Sequence, residues 1–245
     1  MAQGESISGN KVEKEIIKFL DNKLLIDLKD CRLKQLIFHM FGLNISQNLK
    51  ISCKKYKKKS TSYKGNPKPD IQITLNKIKK NISIKSGKGN SLHEEPLKTF
   101  LNFLENFDNS NKYLDIIENH LKKAINIRNT DVSIFFDKNK IKIIKRVLNG
   151  IYPGEEVVDF YYAVLSIKDQ NTEVTSDVIQ NGFFANKNEI ENFMINNTPN
   201  AKGQSGTCDV GTLRYQSYNR NKYPKPQFKW PNPYKDIKKI RNKND

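Results

Sequence analysis

Asp70, Ser83 and Lys85 are the residues of this chain whose types and spacing fit a chemical task. Asp70 follows Pro69 and opens an alternating stretch in which Ile71, Ile73 and Leu75 are separated by Gln72 and Thr74. Ile82 and Ile84 alternate in the same way with Ser83 and Lys85. Both stretches predict half-buried strands, and Asn76–Lys80 is short enough to close them into a hairpin. A turn centred near Ile78 gives cross-strand partners whose numbers sum to about 156. Asp70 then falls opposite Lys85 or Ser86, on the face that Ser83 and Lys85 share. Such a set suits phosphodiester hydrolysis. A carboxylate is a hard oxygen ligand for Mg²⁺, which takes few protein carboxylates alongside water and phosphate. The metal lowers the pKa of a bound water, and a neighbouring lysine orients that water and offsets charge on the phosphate. Taken singly, a Pro-Asp pair or a strand lysine is more commonly structural; the hairpin pairing favours chemistry.

The surrounding elements follow from apolar periodicity. Residues 11–29 predict a helix on Val12, Ile16, Ile17 and Leu20, and a second runs from Arg32 to Phe41 and stops at Gly42. Residues 48–60 read as an extended run leading into a lysine cluster, and 60–68 as a loop. A helix is expected to start near Ser91, with Leu97, Phe100, Leu101 and Leu104 as its apolar stripe. Further helices are expected at 113–127 and 187–196, and strands at 131–136, 157–167 and 212–218. The tail from Lys222 reads as irregular, being rich in Pro, Lys and aromatic residues. The whole is an α/β chain forming one domain over 1–245. Within it, 1–45 is a helical N-terminal part, 46–110 holds the hairpin and its helix, and 150–245 is the candidate recognition part.

Pro69-Asp70, a β-hairpin, and then Ser83-Ile84-Lys85 together resemble the PD-(D/E)xK nuclease superfamily, which includes most Type II restriction endonucleases. The resemblance covers about Asp70 to Glu95 in detail. It implies a mixed central β-sheet flanked by helices, with Asp70 as metal ligand and Lys85 as catalytic lysine. Ser83 departs from the pattern, because the motif has Asp or Glu there. Some members with Ser-x-Lys recruit a glutamate from the following helix, which here offers Glu94 and Glu95. Glu94 extends the inward stripe, whereas Glu95 points about 100° away, so Glu94 is the favoured replacement. Ser91-Leu92-His93-Glu94 also reads as a capping box, and the two roles carry similar weight. An acid on the first helix often completes such sites, which makes Glu13 and Glu15 further candidates, although each alone reads first as helix-surface charge. His93 could lie near the site, but a surface or capping role is the simpler reading. Ser86-Gly87-Lys88-Gly89 lacks the spacing of a nucleotide-binding loop but could meet a phosphate backbone through Lys88.

DNA contacts are expected from two places. Lys54, Lys55 and Lys57, in the run Lys54–Lys59, suit phosphates, with the guarding of a sheet edge as the competing role. The stretch Gly211–Arg220 resembles, through few residues, a segment found late in some restriction enzymes. Alternation separates Arg214, Gln216 and Tyr218 from their neighbours, and Arg, Gln and Asn side chains pair with bases in the major groove. Arg214, Gln216, Asn219 and Arg220 are therefore candidate readers, against the alternative that Gln216 and Asn219 serve backbone groups at the sheet edge.

Bulk composition agrees with a polyanionic partner. Lys and Arg number 43 against 26 Asp and Glu, a formal charge of +17 in 245 residues with a pI near 9.6. Such a field attracts nucleic acid or an anionic surface. A lysine-rich composition from an AT-rich genome is the competing explanation. Mean hydropathy is −0.71, and no run approaches the roughly 18 apolar residues of a spanning helix, so no membrane role is expected. The N-terminus lacks the pattern of a secretory signal. Cys31, Cys53 and Cys208 are far apart and the three histidines have no ligand spacing, so neither a disulfide framework nor a zinc site is expected, and the reading is cytoplasmic. The leading expectation is a Type II restriction endonuclease acting on double-stranded DNA with Mg²⁺; the resemblance adds a homodimer and a companion methyltransferase. A repair or recombination nuclease of the same fold, and a basic nucleic-acid-binding protein without catalysis, are the alternatives.

Overall fold

The computed structural model describes residues 4–42, 48–57, 69–87, 90–123, 131–150, 157–165, 175–199, 207–220 and 223–244. Helices α1 (Gly4–Leu20) and α2 (Arg32–Phe41) precede strands β1 (Ser52–Lys55), β2 (Ile71–Leu75), β3 (Ile78–Ser86) and β4 (Asn90–Glu94). Four helices follow: α3 (Leu97–Leu104), α4 (Asn111–Lys123), α5 (Asp131–Lys138) and α6 (Lys140–Asn149). The chain continues through β5 (Phe160–Val164), α7 (Ser176–Gln180), β6 (Phe183–Asn186) and α8 (Lys187–Asn196). It closes with β7 (Thr207–Val210), β8 (Leu213–Arg220), β9 (Tyr223–Trp230) and α9 (Pro233–Asn244).

Among the described residues the strands form two sheets, in the orders β1-β2-β3-β5-β6 and β4-β9-β8-β7. The first is mixed: β3 and β5 run parallel and its other pairs are antiparallel. The second is antiparallel throughout. This is the mixed α/β architecture that the resemblance implies.

One face of the first sheet (Ile71, Ile73, Ile82, Ile84, Tyr162) packs on α1 and α2 through Val12, Ile16, Leu20, Leu33, Leu36 and Ile37. The spacing of Val12, Ile16 and Leu20 is the helical repeat that drives this burial. Gly42, at φ 64°, ends α2 in the left-handed region and donates its N–H to Phe38 O at 2.8 Å, as a residue without a Cβ does readily. The opposite face, through Tyr161, Ala163, Phe183 and Ala185, joins a second core that also contains Tyr215, Phe228 and Trp230 of the second sheet. Tyr161 and Trp230 meet edge to face at 5.9 Å, so the two sheets share this core.

Several expectations are corrected here. The first helix covers 4–20 rather than 11–29. Residues 131–138 are helical because Val132, Phe135 and Phe136 are buried at helical spacing, a pattern that a short apolar run cannot distinguish from a strand. The tail is ordered as β9 and α9. Pro224 and Pro226 are tolerated in β9 because β4 pairs with it only from Gln227 to Trp230. Neither proline therefore faces a β4 partner that would require its missing N–H. Residues 90–94 form a strand, and the helix begins only at Leu97 after Pro96. Glu94 is therefore not at the third position of a helix. Strands β5 and β6 return to the first sheet, so that part of the C-terminal half supports the hairpin directly.

Candidate active site

The β2–β3 hairpin turns at Asn76 and Lys77, whose φ values are 47° and 66°. Two left-handed residues make the tight turn whose twist matches the strands. Ile78 is thus the first residue of β3 and not the centre of the turn, and Ile71 lies opposite Ile82. Continuing this register by one residue places Asp70 beside Ser83 rather than opposite Lys85 or Ser86, which corrects the expected pairing.

The consequence is an aspartate held by three hydrogen bonds, one through its backbone and two through its carboxylate. Asp70 N–H donates to Ile82 O at 2.8 Å. Its Oδ2 accepts the amide of Ile84 at 2.6 Å and the hydroxyl of Ser83 at 3.0 Å. No hydrogen bond to Oδ1 occurs among the described residues. Ser83 is buried, at 2% exposure, and what it contributes here is a hydroxyl that donates to the Asp70 carboxylate. Lys85, half-buried, follows on the same face of β3.

Glu13 comes to this place from α1. Its side chain is only 14% exposed and its Oε2 lies 3.5 Å from Lys55 Nζ. Burial raises the Glu13 carboxyl above its ordinary value, and the charge of Asp70 adds to the rise, while Lys55 and Lys85 pull it back. These couplings bring Glu13, Asp70, Lys55 and Lys85 into one electrostatic cluster, formed where β1 and β3 end and β2 begins. Glu15, by contrast, makes an exposed pair with Lys18 at 3.8 Å.

Tyr161, absent from the sequence reading, belongs to the same neighbourhood. It pairs with Ser83 across β3 and β5. Its ring is buried, and its hydroxyl has no hydrogen-bond partner among the described residues. Burial and then the charge of Asp70 push its ionisation upward, so it stays a neutral donor. Its aromatic type and its place in an apolar strand gave no sign of this, because such a residue reads as core.

Glu94 lies elsewhere, on the second sheet. It pairs with Gln227, accepts a hydrogen bond from Gln227 Nε2, and accepts one from Ser91 Oγ at 3.3 Å. Its neighbour Glu95 is buried at 1% exposure. Arg146 grips Glu95 with two bonds of 3.0 and 2.7 Å, and His93 Nε2 lies 3.1 Å from Oε1. Burial alone would raise the Glu95 carboxyl; His93 and Arg146 outweigh it and hold it below its ordinary value. His93 is thus a buried partner of Glu95, not a capping or surface group.

The candidate DNA contacts divide. Lys54, Lys55 and Lys57 are exposed on and just after β1, the edge strand of the first sheet. Arg214 pairs with Asp209 at 3.2 Å and Gln216 donates to Gln227 at 2.7 Å, both on the face of β8 opposite buried Leu213 and Tyr215. Lys88 lies outside the described residues. Asn219 and Arg220 fall in β8, but their side chains lie outside the described residues.

Asp70 and Glu13 suit a hard cation. Burial and the charge of Asp70 raise the cost of ionising Glu13, and a positive ion held there would relieve it. Among the described residues no three His, Cys, Asp or Glu side chains gather as an all-protein metal cage. Mg²⁺ is ordinarily held by one or two carboxylates with water and phosphate completing its shell.

Against known proteins, no family model and no curated sequence matches this chain. Among solved structures it is similar to the crystal structure of the restriction endonuclease MspI in complex with its cognate DNA. The TM-score is 0.57 at 14% identity, covering 94% of this chain and 93% of that one. The fold is restriction-endonuclease-like. The likeness runs through both sheets and nearly the whole chain, well beyond the segment that carries the sequence motif. Among the described residues no helix is long and apolar enough to cross a membrane.

Proposed function

We propose that this protein is a Type II site-specific restriction endonuclease that hydrolyses phosphodiester bonds of double-stranded DNA with Mg²⁺. The observation that carries the proposal is the gathering of Asp70, Glu13 and Lys85 at one end of the mixed sheet. It is supported by the fold shared with MspI, a restriction endonuclease solved with its cognate DNA, and by the formal charge of +17. Partners would be duplex DNA, a second copy of the chain to cut the second strand, and a methyltransferase protecting the same site.

Asp70 and Glu13 would hold the ion. When bound, Mg²⁺ supplies Lewis acidity and a water of lowered pKa. The protein groups do the rest. The Ser83 hydroxyl and the Ile84 amide fix Asp70 Oδ2, so that Oδ1 would be the oxygen left to hold the ion. Lys85 orients the attacking water and offsets the charge that builds on the phosphate. Lys55 neutralises Glu13 when no ion is held there and supplies a cation to a DNA phosphate when one is.

Incubation with phage or plasmid DNA and Mg²⁺ tests the reading. Discrete fragments are expected; no cleavage with any divalent ion would refute it. Cutting confined to mismatches or junctions would turn it into a repair nuclease.

The role of Lys55 yields a pH prediction. Its charge lowers the Glu13 pKa, so Lys55→Ala lets that pKa climb further above its ordinary value. Glu13 must be deprotonated to bind the ion. The acid limb of the cleavage rate should therefore move to higher pH in Lys55→Ala, and Glu13→Gln should remove that limb's dependence on this group. Rates between pH 5 and 9 at saturating DNA would show the shift; an unmoved limb would separate Glu13 from the site.

A further inference from the structure

The second sheet has one apolar and one polar face. Tyr215 stacks with Phe100 at 6.1 Å and meets Phe136 at 4.9 Å, and Phe228 meets Phe100 at 5.8 Å, so α3 and α5 cover the apolar face. Strand alternation sends Arg214, Gln216, Gln227 and Lys229 to the other face. There the register aligns Gln216 with Gln227 and Gln227 with Glu94, a row across three strands.

The hydrogen bonds of this row have a fixed direction. An ionised carboxylate only accepts, so Gln227 must present its NH₂ group to Glu94. That NH₂ group also donates to Ser91 Oγ at 3.3 Å. The oxygen of Gln227 then faces Gln216, which donates to it at 2.7 Å. Gln227, 3% exposed, is occupied within the row. Gln216 and Glu94 are half-buried, and no hydrogen bond reaches Gln216 Oε1 or Glu94 Oε2 among the described residues. The row therefore carries an acceptor on Glu94 at one end and one on Gln216 near the other, where the register continues to Thr207 of β7. Cations flank it: Lys229 lies opposite Arg214, and Lys225 is exposed on the same face of β9.

A carboxylate set among lysines and an arginine is poorly matched to phosphate, which it would repel. It is well matched to a ligand with amino donors in the middle and anionic groups on either side. The edge of a duplex has that form. Cytosine N4 and adenine N6 present donors in the major groove, and phosphates border it. We propose that Glu94 and Gln216 read a base amino group in the major groove, and that Gln227 positions both of them. This inference rests on the nuclease reading above, and it makes Glu94 a specificity residue rather than a metal ligand.

Cleavage of a randomised duplex library by wild type, Glu94→Gln and Gln227→Leu, read by sequencing the cut ends, tests it. Both variants should lose discrimination at the same base pair by roughly 10- to 100-fold. Metal dependence should be unchanged. Substrates lacking the amino group of that one base should slow the wild type by a similar factor and Glu94→Gln little. Variants that keep the wild-type sequence profile would overturn the inference. So would Glu94→Gln failing at every sequence, which is the behaviour of a lost metal ligand. If Gln227→Leu fails to fold, the near-isosteric Glu94→Gln decides alone. A wild type that cuts no duplex would bring down the nuclease reading itself, and this inference with it.

Discussion

Asp70→Asn is expected to lower Mg²⁺-dependent DNA cleavage by about 10³-fold or more, and Lys85→Ala by about 10²- to 10³-fold. The asparagine keeps the shape of the side chain. Its carbonyl oxygen can still accept the Ile84 amide, whose bond to Asp70 is 2.6 Å. What disappears is the negative charge, which the hairpin cannot replace, because Ser83 brings a hydroxyl and no second carboxylate. Glu13 alone would then face the ion, and its carboxyl is already raised by burial. Lys85 acts differently. Under the proposed function its loss would leave the ion's ligands in place and remove the cation beside the attacked phosphate, so DNA binding in Ca²⁺ should fall much less than the cleavage rate. Single-turnover rates and binding by both variants, with circular dichroism as a folding control, would check this. Near-wild-type cutting by Asp70→Asn would exclude the site.

The largest effect on stability is expected at Arg146. Replacing it with Met should cost about 3–5 kcal/mol, because Glu95 is left as a buried charge with only His93 beside it. The Arg146 guanidinium also lies over the Phe103 ring at 4.3 Å, so packing is lost as well. The pH dependence has a definite sign. Glu95 has its folded pKa held below its ordinary value of 4.5. Its contribution is therefore present above that value and is lost as pH falls through the depressed folded value. The gap between wild type and Arg146→Met should be widest near neutral pH and should narrow in acid. Urea denaturation at pH 7 and pH 4 would measure both. The double change Glu95→Leu with Arg146→Met should recover much of the loss, since no uncompensated charge remains. A single variant as stable as wild type at pH 7 would show that the cluster is not needed.

This cluster also shows what a sequence conceals. Glu94 and Glu95 are adjacent acids of the same type, and before folding either could serve the site. In the structure one faces the polar side of a sheet and the other is sealed against α6. Strand alternation explains the opposite directions, but which of them points inward depends on β9 and on Arg146, both distant in the chain. Pro96 marks the true start of α3, yet the polar run before it reads equally as a helix cap or a strand.

The strands of the hairpin, the first two helices, and Asp70 and Lys85 as the central candidates were legible in the chain itself. Their signals are local: period-two alternation, helical spacing, and a glycine where a left-handed residue is needed. Tertiary structure decided the partners. The turn at Asn76 and Lys77 put Asp70 beside Ser83. The packing of α1 on the sheet chose Glu13 over Glu15, because the half-buried side of the helix that carries Glu13 lies against Lys55 and Asp70, while Glu15 pairs with Lys18 at the surface. Tyr161 and Gln227 entered only when strands far apart in sequence came into register. Asp70 and Lys85 could be named as candidates from their own neighbourhoods; what holds and charges the candidate site around them comes from contacts that no local pattern encodes.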